Sequence, residues 1–222
     1  MGEWPPLSLA GRLITVEGVE GAGKSTQVAR LAAWLEGLGV RLATTSEPDG
    51  SPLGPWVRQL LAERSPLDPV TECFAFALAR AEHVRRVIRP ALDGGAVVVC
   101  DRYADSTVAY QGYGRGVPLD VIAGLNRVAT DGLVPDLTIV LDLDVAEGLR
   151  RARGRPHDAA LSPDPFERLG LEFHERVRKG YRAIHEREPA RVELVDAHQP
   201  AEALAEAIRV VVAARFGRGG TR

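Results

Sequence analysis

Short, largely apolar runs alternate along this chain with longer segments whose apolar residues recur at helical spacing. Leu13–Glu17 reads as a buried strand, and Lys24–Leu38 as a helix stopped by Gly39. Val40–Thr45 is a second strand, followed by the loop SEPDGSP (46–52) and a helix to about Glu63. Pro66 and Pro69 break the chain before a long helix over Val70–Leu92. Ala96–Cys100, Leu137–Leu141 and Val192–Val195 read as three more strands. Pro118–Thr130, Val145–Arg153, Glu167–Arg187 and Pro200–Phe216 read as helices, and the Gly/Pro-rich stretch Gly154–Pro165 as a surface loop. The all-apolar run Ala96–Cys100 suits a sheet covered on both faces. The alternation of strand and helix predicts a three-layer α/β fold. Its five-stranded parallel sheet has right-handed crossovers and helices on both sides. The expected organisation is one domain over 1–222, with a mobile lid at about 150–168 and a frayed tail at 217–222.

Composition narrows the class. The 222 residues are 45% hydrophobic and 26% charged, enough for a substantial core. A net charge of −2 and a pI near 6.2 give no general drive toward nucleic acid or anionic membrane. No apolar run approaches the ~18 residues of a membrane span, and the N-terminal stretch lacks a signal-peptide pattern. Cys73 and Cys100 lie in apolar surroundings without metal-binding spacing, and the five histidines are scattered. A reduced, cytoplasmic protein is expected.

The chemistry begins at Gly18-Val19-Glu20-Gly21-Ala22-Gly23-Lys24-Ser25, which matches GxxxxGK[ST] between a strand and a helix, with Thr26 following. Such a loop, the P-loop, curls around the phosphates of a nucleoside triphosphate with its N–H groups inward, at the positive end of a helix. Lys24 reaches the β/γ-phosphates, and the Ser25 hydroxyl is placed for Mg²⁺. Lys24 and Lys179 are the only lysines in the chain, so one of the two falls where the motif demands a compact cation. A GTPase reading needs an NKxD-type motif, and the only asparagine, Asn126, is followed by Arg-Val-Ala.

The third strand ends in Asp101-Arg102, where open α/β sheets bind ligands. Asp101 is expected on the metal or its water shell, and Arg102 on a second anion. Ser106, Thr107, Tyr110 and Gln111 share one side of a helical turn. Phe76 and Arg80, four residues apart, offer an aromatic platform beside a guanidinium, which suits a nucleobase. These features favour a small kinase carrying its acceptor site on the same fold.

LITVEGVEGAGKST (13–26), TSEPDG (45–50), FALARAEH (76–83), DRYADSTVAYQGYGRG (101–116), PDLTIVLDLD (135–144) and FHERVRKGY (173–181) occur in order. Together they resemble bacterial thymidylate kinase over about 200 residues. The resemblance implies phosphoryl transfer from ATP to dTMP with Mg²⁺, in a homodimer. It implies that Glu17 contacts the deoxyribose 3′-hydroxyl and that Glu47 borders the acceptor near the metal. Arg58 and Arg102 would hold the dTMP phosphate. Phe76 would stack on thymine, with Arg80, Thr107 and Gln111 bonding its edge, and Tyr110 would crowd the 2′ position. The P-loop carries no Arg, and family members of that kind take their transition-state cation from the lid. Arg153, with Arg151 or Arg155, is the expected arginine finger.

Three stretches depart from the family. Ser46 and Asp49 replace a usual Arg and a usual Gly, the lid motif reads Asp164-Pro165-Phe166-Glu167-Arg168-Leu169, and the helix motif FAADR reads FALAR. Alternatives are a kinase for another nucleoside monophosphate or a deoxynucleoside, or a P-loop binding protein with weakened catalysis.

Overall fold

The computed structural model describes residues 4, 6–63, 67–154 and 165–217, with Pro165 and Glu167 described in backbone only. Arg155, most of the lid loop and the tail beyond 217 lie outside the described residues.

Five strands form one parallel sheet: β1 (Leu13–Gly18), β2 (Leu42–Ser46), β3 (Val97–Asp101), β4 (Leu137–Asp142) and β5 (Val192–Asp196). Their spatial order is β2-β3-β1-β4-β5. Strand β1 therefore lies between neighbours reached in opposite directions, and the crevice at its C-terminal end is the natural ligand site. Register sets Val16 beside Asp101 and Gly18 beside Leu141, so the P-loop and the Asp101-Arg102 turn leave the sheet side by side.

Nine α-helices are described: α1 (Lys24–Gly37), α2 (Gly54–Glu63), α3 (Pro69–His83), α4 (Arg89–Asp93), α5 (Ala104–Thr107), α6 (Leu119–Thr130), α7 (Val145–Arg153), α8 (Leu171–Arg187) and α9 (Ala201–Phe216). Alternating strand residues feed two cores. Ile14, Val16, Val97 and Val99 pack into one, and Leu13, Val98 and Cys100 into the other.

The long helix expected over Val70–Leu92 is present as α3 and α4 joined by a wide π-helical turn, Val84–Ile88. Asp68 caps it, accepting from Val70 N–H and Thr71 N–H, with Pro69 at the first helical position. The helix expected over Glu167–Arg187 is divided. A 3₁₀ turn, Pro165–Arg168, precedes α8, and Gly170 stands between them. A second π-helical stretch, Val108–Gly114, continues α5. Wide turns of this kind are frequent at functional sites, and this one carries Tyr110 and Gln111.

Candidate active site

The P-loop curl depends on three glycines with positive φ, Gly18 (142°), Gly21 (73°) and Gly23 (91°). Contact as well as conformation restricts them. A Cβ on Gly21 would lie 1.9 Å from the carbonyl oxygen of Gly148 on α7, and a Cβ on Gly148 would lie 2.3 Å from the carbonyl oxygen of Glu20. Loop and helix thus meet backbone to backbone. Lys24 is only 8% exposed, and its Nζ donates to the carbonyls of Gly18 (3.1 Å) and Val19 (3.0 Å). Burial lowers its pKa and Arg102 adds to the effect, against the opposing carboxylates of Glu20, Asp101 and Glu17. Ser25 and Thr26 are exposed on the first turn of α1, and Ser25 Oγ donates to Asp101 Oδ2 at 2.7 Å. A hydroxyl and a carboxylate at a helix N-terminus form an all-oxygen donor set, suited to a hard cation that keeps waters and phosphates as its other ligands.

Arg102 occupies the left-handed region, φ 68°. Its guanidinium lies 4.9 Å from the centre of the Tyr110 ring and donates to Glu20 Oε1 (2.5 Å) and Tyr110 Oη (3.1 Å). Tyr110 in turn donates to Glu20 Oε1 at 2.7 Å. Burial by itself would raise the pKa of Glu20, but the charges of Arg102 and Lys24 outweigh it and hold the carboxyl at about 2. The Glu20 side chain therefore faces the neighbouring pocket, a placement that the P-loop motif, which uses only its backbone, does not reveal.

Glu17 was expected at a sugar hydroxyl, and the structure corrects this. Its carboxylate is fully buried behind the pocket wall, where it accepts from Tyr103 N–H (2.7 Å), Ser106 Oγ (2.5 Å) and Tyr181 Oη (2.9 Å). It braces the backbone immediately after Arg102. Burial, helped by the nearby charge of Asp105, raises its pKa to about 7. A folded-state value above the ordinary 4.5 means that stability falls as pH rises from about 4.5 to about 7. We expect Glu17→Gln to remove that slope, worth about 3 kcal/mol in full. Urea denaturation at pH 5 and pH 8 measures it, and equal losses in wild type and variant would count against it.

Beyond Glu20 lies a pocket between β1, α3 and the segment after β3. Most of the side chains expected at the acceptor line it: Glu47, Arg58, Phe76, Arg80, Arg102, Ser106, Thr107, Tyr110 and Gln111, joined by Phe166 and Leu61. Phe166 closes the pocket opposite Phe76, with ring centres 6.2 Å apart, and meets Tyr110 edge-on at 5.3 Å. The sequence placed Phe166 only in a lid motif. Its role as a wall was not legible, because a 3₁₀ turn folds it inward. Arg58 is paired through two hydrogen bonds (2.8 and 2.5 Å) with Asp49, one of the residues that depart from the family.

Two of these side chains are held by partners from other elements. Arg80 is 2% exposed, and its guanidinium donates to Glu47, Thr107 Oγ1, Asn126 Oδ1 and the Tyr103 carbonyl. These bonds hold it in the pocket wall. Glu47 was expected near the metal, but Arg80 (2.7 Å) and His83 (3.3 Å) hold its two oxygens. Ser25 and Asp101 remain the oxygen pair at the phosphate loop.

Helix α7 brings Arg150, Arg151 and Arg153 into its last turn. Arg151 bonds Glu147 and the Ala197 carbonyl, which ties α7 to the chain after β5. Arg153 is exposed and lines a shallow hollow with Arg168.

A phosphate loop, a cation-lined second pocket at the same sheet edge and an arginine-bearing helix packed on the loop define a P-loop phosphotransferase of the nucleoside-monophosphate kinase kind. The thymidylate kinase family matches residues 16–208. The chain is 52% identical to thymidylate kinase from Solidesulfovibrio magneticus over 203 residues, covering 90% of this chain and 97% of that one. It is 50% identical to the Gloeobacter violaceus thymidylate kinase over 200 residues, covering 90% and 93%. The crystal structure of thymidylate kinase from Ehrlichia chaffeensis superposes with a TM-score of 0.74 at 32% identity, covering 90% of this chain and 98% of that one. The chain belongs to the thymidylate kinase family.

Proposed function

We propose that this protein transfers the γ-phosphoryl group of ATP to dTMP, giving ADP and dTDP, with the P-loop holding the donor and the Phe76–Phe166 pocket holding the acceptor. One observation carries the assignment of sites: Arg102, between the two, lies beside Glu20 of the phosphate loop and on the acceptor pocket at once. The attacking group is a phosphate oxygen whose second pKa is about 6. It is ionised at neutral pH and needs no strong base. The protein's task is to bring two polyanions together and neutralise the moving group. Lys24 and the α1 N-terminus take the donor phosphates, Arg102 and Arg58 the acceptor phosphate, and Arg153 the group in transfer. Ser25 and Asp101 would hold Mg²⁺, which supplies charge neutralisation at the donor phosphates.

A coupled ADP-release assay with ATP, Mg²⁺ and a panel of dTMP, dUMP, dCMP, AMP and thymidine tests this. dTMP is expected to give the highest kcat/KM, and preference for any other acceptor overturns the reading. Asp49 competes for Arg58, so Asp49→Gly is expected to lower the KM for dTMP about two- to fivefold, the strength of a half-exposed ion pair. An unchanged KM would take Arg58 off the acceptor phosphate.

A homodimer is proposed through α3 and α6. Val70, Phe74 and Leu78 on α3 and Val121 and Val128 on α6 are exposed apolar side chains at helical spacing. Sedimentation velocity showing only monomer at micromolar concentration would end this proposal. No helix among the described residues is long and apolar enough to cross a membrane.

A further inference from the structure

His174, within the FHERVRKGY stretch, is wholly buried and has no part in the sites described above. It stands in the first turn of α8, just after the 3₁₀ turn Pro165–Arg168. Its Nε2 lies 3.1 Å from the carbonyl oxygen of Phe166. A carbonyl oxygen only accepts, so Nε2 carries the hydrogen and donates it. The same oxygen accepts the N–H of Leu169 at 3.0 Å. Its two lone pairs therefore tie the turn to itself and to α8.

The Phe166 ring, carried by that turn, closes the acceptor pocket opposite Phe76. It stacks on Phe173, the neighbour of His174, with ring centres 6.2 Å apart and planes 15° from parallel. The Arg115 guanidinium lies 5.8 Å from the centre of the Phe166 ring and 5.3 Å from that of Phe173. Ring pairs are satisfied over a range of centre-to-centre distances of about 4.5–7 Å, so these contacts tolerate sliding. A hydrogen bond is narrow in both distance and angle. The bond to the carbonyl is thus the contact that fixes how deep the ring stands.

We propose that His174 is a positioning residue for the acceptor site: by holding the Phe166 carbonyl, it sets the depth of the Phe166 ring over the pocket. Its effect on dTMP rests on the acceptor reading above, whereas the latch itself does not.

His174→Leu removes the donor at similar volume. His174→Gln restores an N–H the same number of bonds from the backbone. We expect His174→Leu to raise the KM for dTMP about 10-fold, with kcat and the KM for ATP within about twofold, as for loss of one buried hydrogen bond. His174→Gln should bring the KM for dTMP back to within about threefold of wild type. An unchanged or lowered KM in folded His174→Leu overturns the proposal. A protonated His174 would add to the charges that hold the Glu20 carboxyl low. Neutral Gln cannot, so a failure of Gln to rescue would assign the effect to charge and overturn the latch. In a Phe166→Ala background, His174→Leu should add less than about twofold, because the ring it places is gone. Additive losses would mark a merely structural role. Were His174→Leu not to fold, His174→Asn, whose N–H falls short of the carbonyl, takes its place in each comparison.

Amide hydrogen exchange at Leu169, whose N–H is bonded to the Phe166 carbonyl, reads the latch without substrate. It should quicken about 10-fold in His174→Leu and keep its wild-type rate in His174→Gln. Equal exchange in all three proteins would sink the latch whatever the acceptor is. A wild type that fails to turn over dTMP would instead remove the acceptor reading and leave the exchange result standing.

Discussion

Replacing Lys24 with methionine is expected to lower kcat about 10³-fold, the order of loss when one preorganised charge-stabilising donor is removed from a phosphoryl-transfer site. Its Nζ is buried at the lip of the loop, held by the Gly18 and Val19 carbonyls at 3.1 and 3.0 Å. Incoming phosphate oxygens exchange for those two carbonyls without the side chain having to be reordered. The methionine variant keeps the length and loses the charge. Lys179→Met is the control, because that lysine is exposed on α8. Steady-state ADP release gives kcat, and thermal melting shows whether the variant is folded. A loss under tenfold in folded protein would mean that the loop's N–H groups and the metal carry the donor phosphates without it.

The second large effect is expected at Arg153→Ala, with kcat reduced about 10³-fold and the KM for dTMP little changed, as for a cation that acts only in the transition state. Position distinguishes it from its neighbours. Arg150 is paired with Glu147, and Arg151 is spent on Glu147 and the Ala197 carbonyl, whereas Arg153 ends α7 on the exposed side next to Arg168. Arg151→Ala is therefore expected to destabilise the seam between α7 and the β5 end more than it slows turnover. If Arg153→Ala retained full kcat while Arg168→Ala lost it, the finger would belong to the turn before α8.

The sheet was legible because each strand is a short apolar run between helix-length amphipathic segments, and because the glycine-rich loop marks the end of β1. That Thr107, Gln111, Phe76 and Arg80 would line one pocket was legible, since Thr107 and Gln111, or Phe76 and Arg80, sit at spacings that bring them to one helix face. Burial and partnership were not legible. The motif showed that Glu17 precedes the loop and Glu20 lies within it, but not which carboxylate turns into the pocket. That depends on the left-handed Arg102 and on Tyr181, 164 positions from Glu17 in sequence, reaching back to it. The commitment of Arg80 to Glu47, Thr107, Asn126 and Tyr103 likewise joins four separate segments.

The backbone seam between Gly21 and Gly148 makes the phosphate-binding turn and the arginine-bearing helix behave as one mechanical part. With no side chain between them to give way, a displacement of the loop would have to be shared by α7. One added methyl group at either glycine could disconnect the two while leaving every charged residue in place.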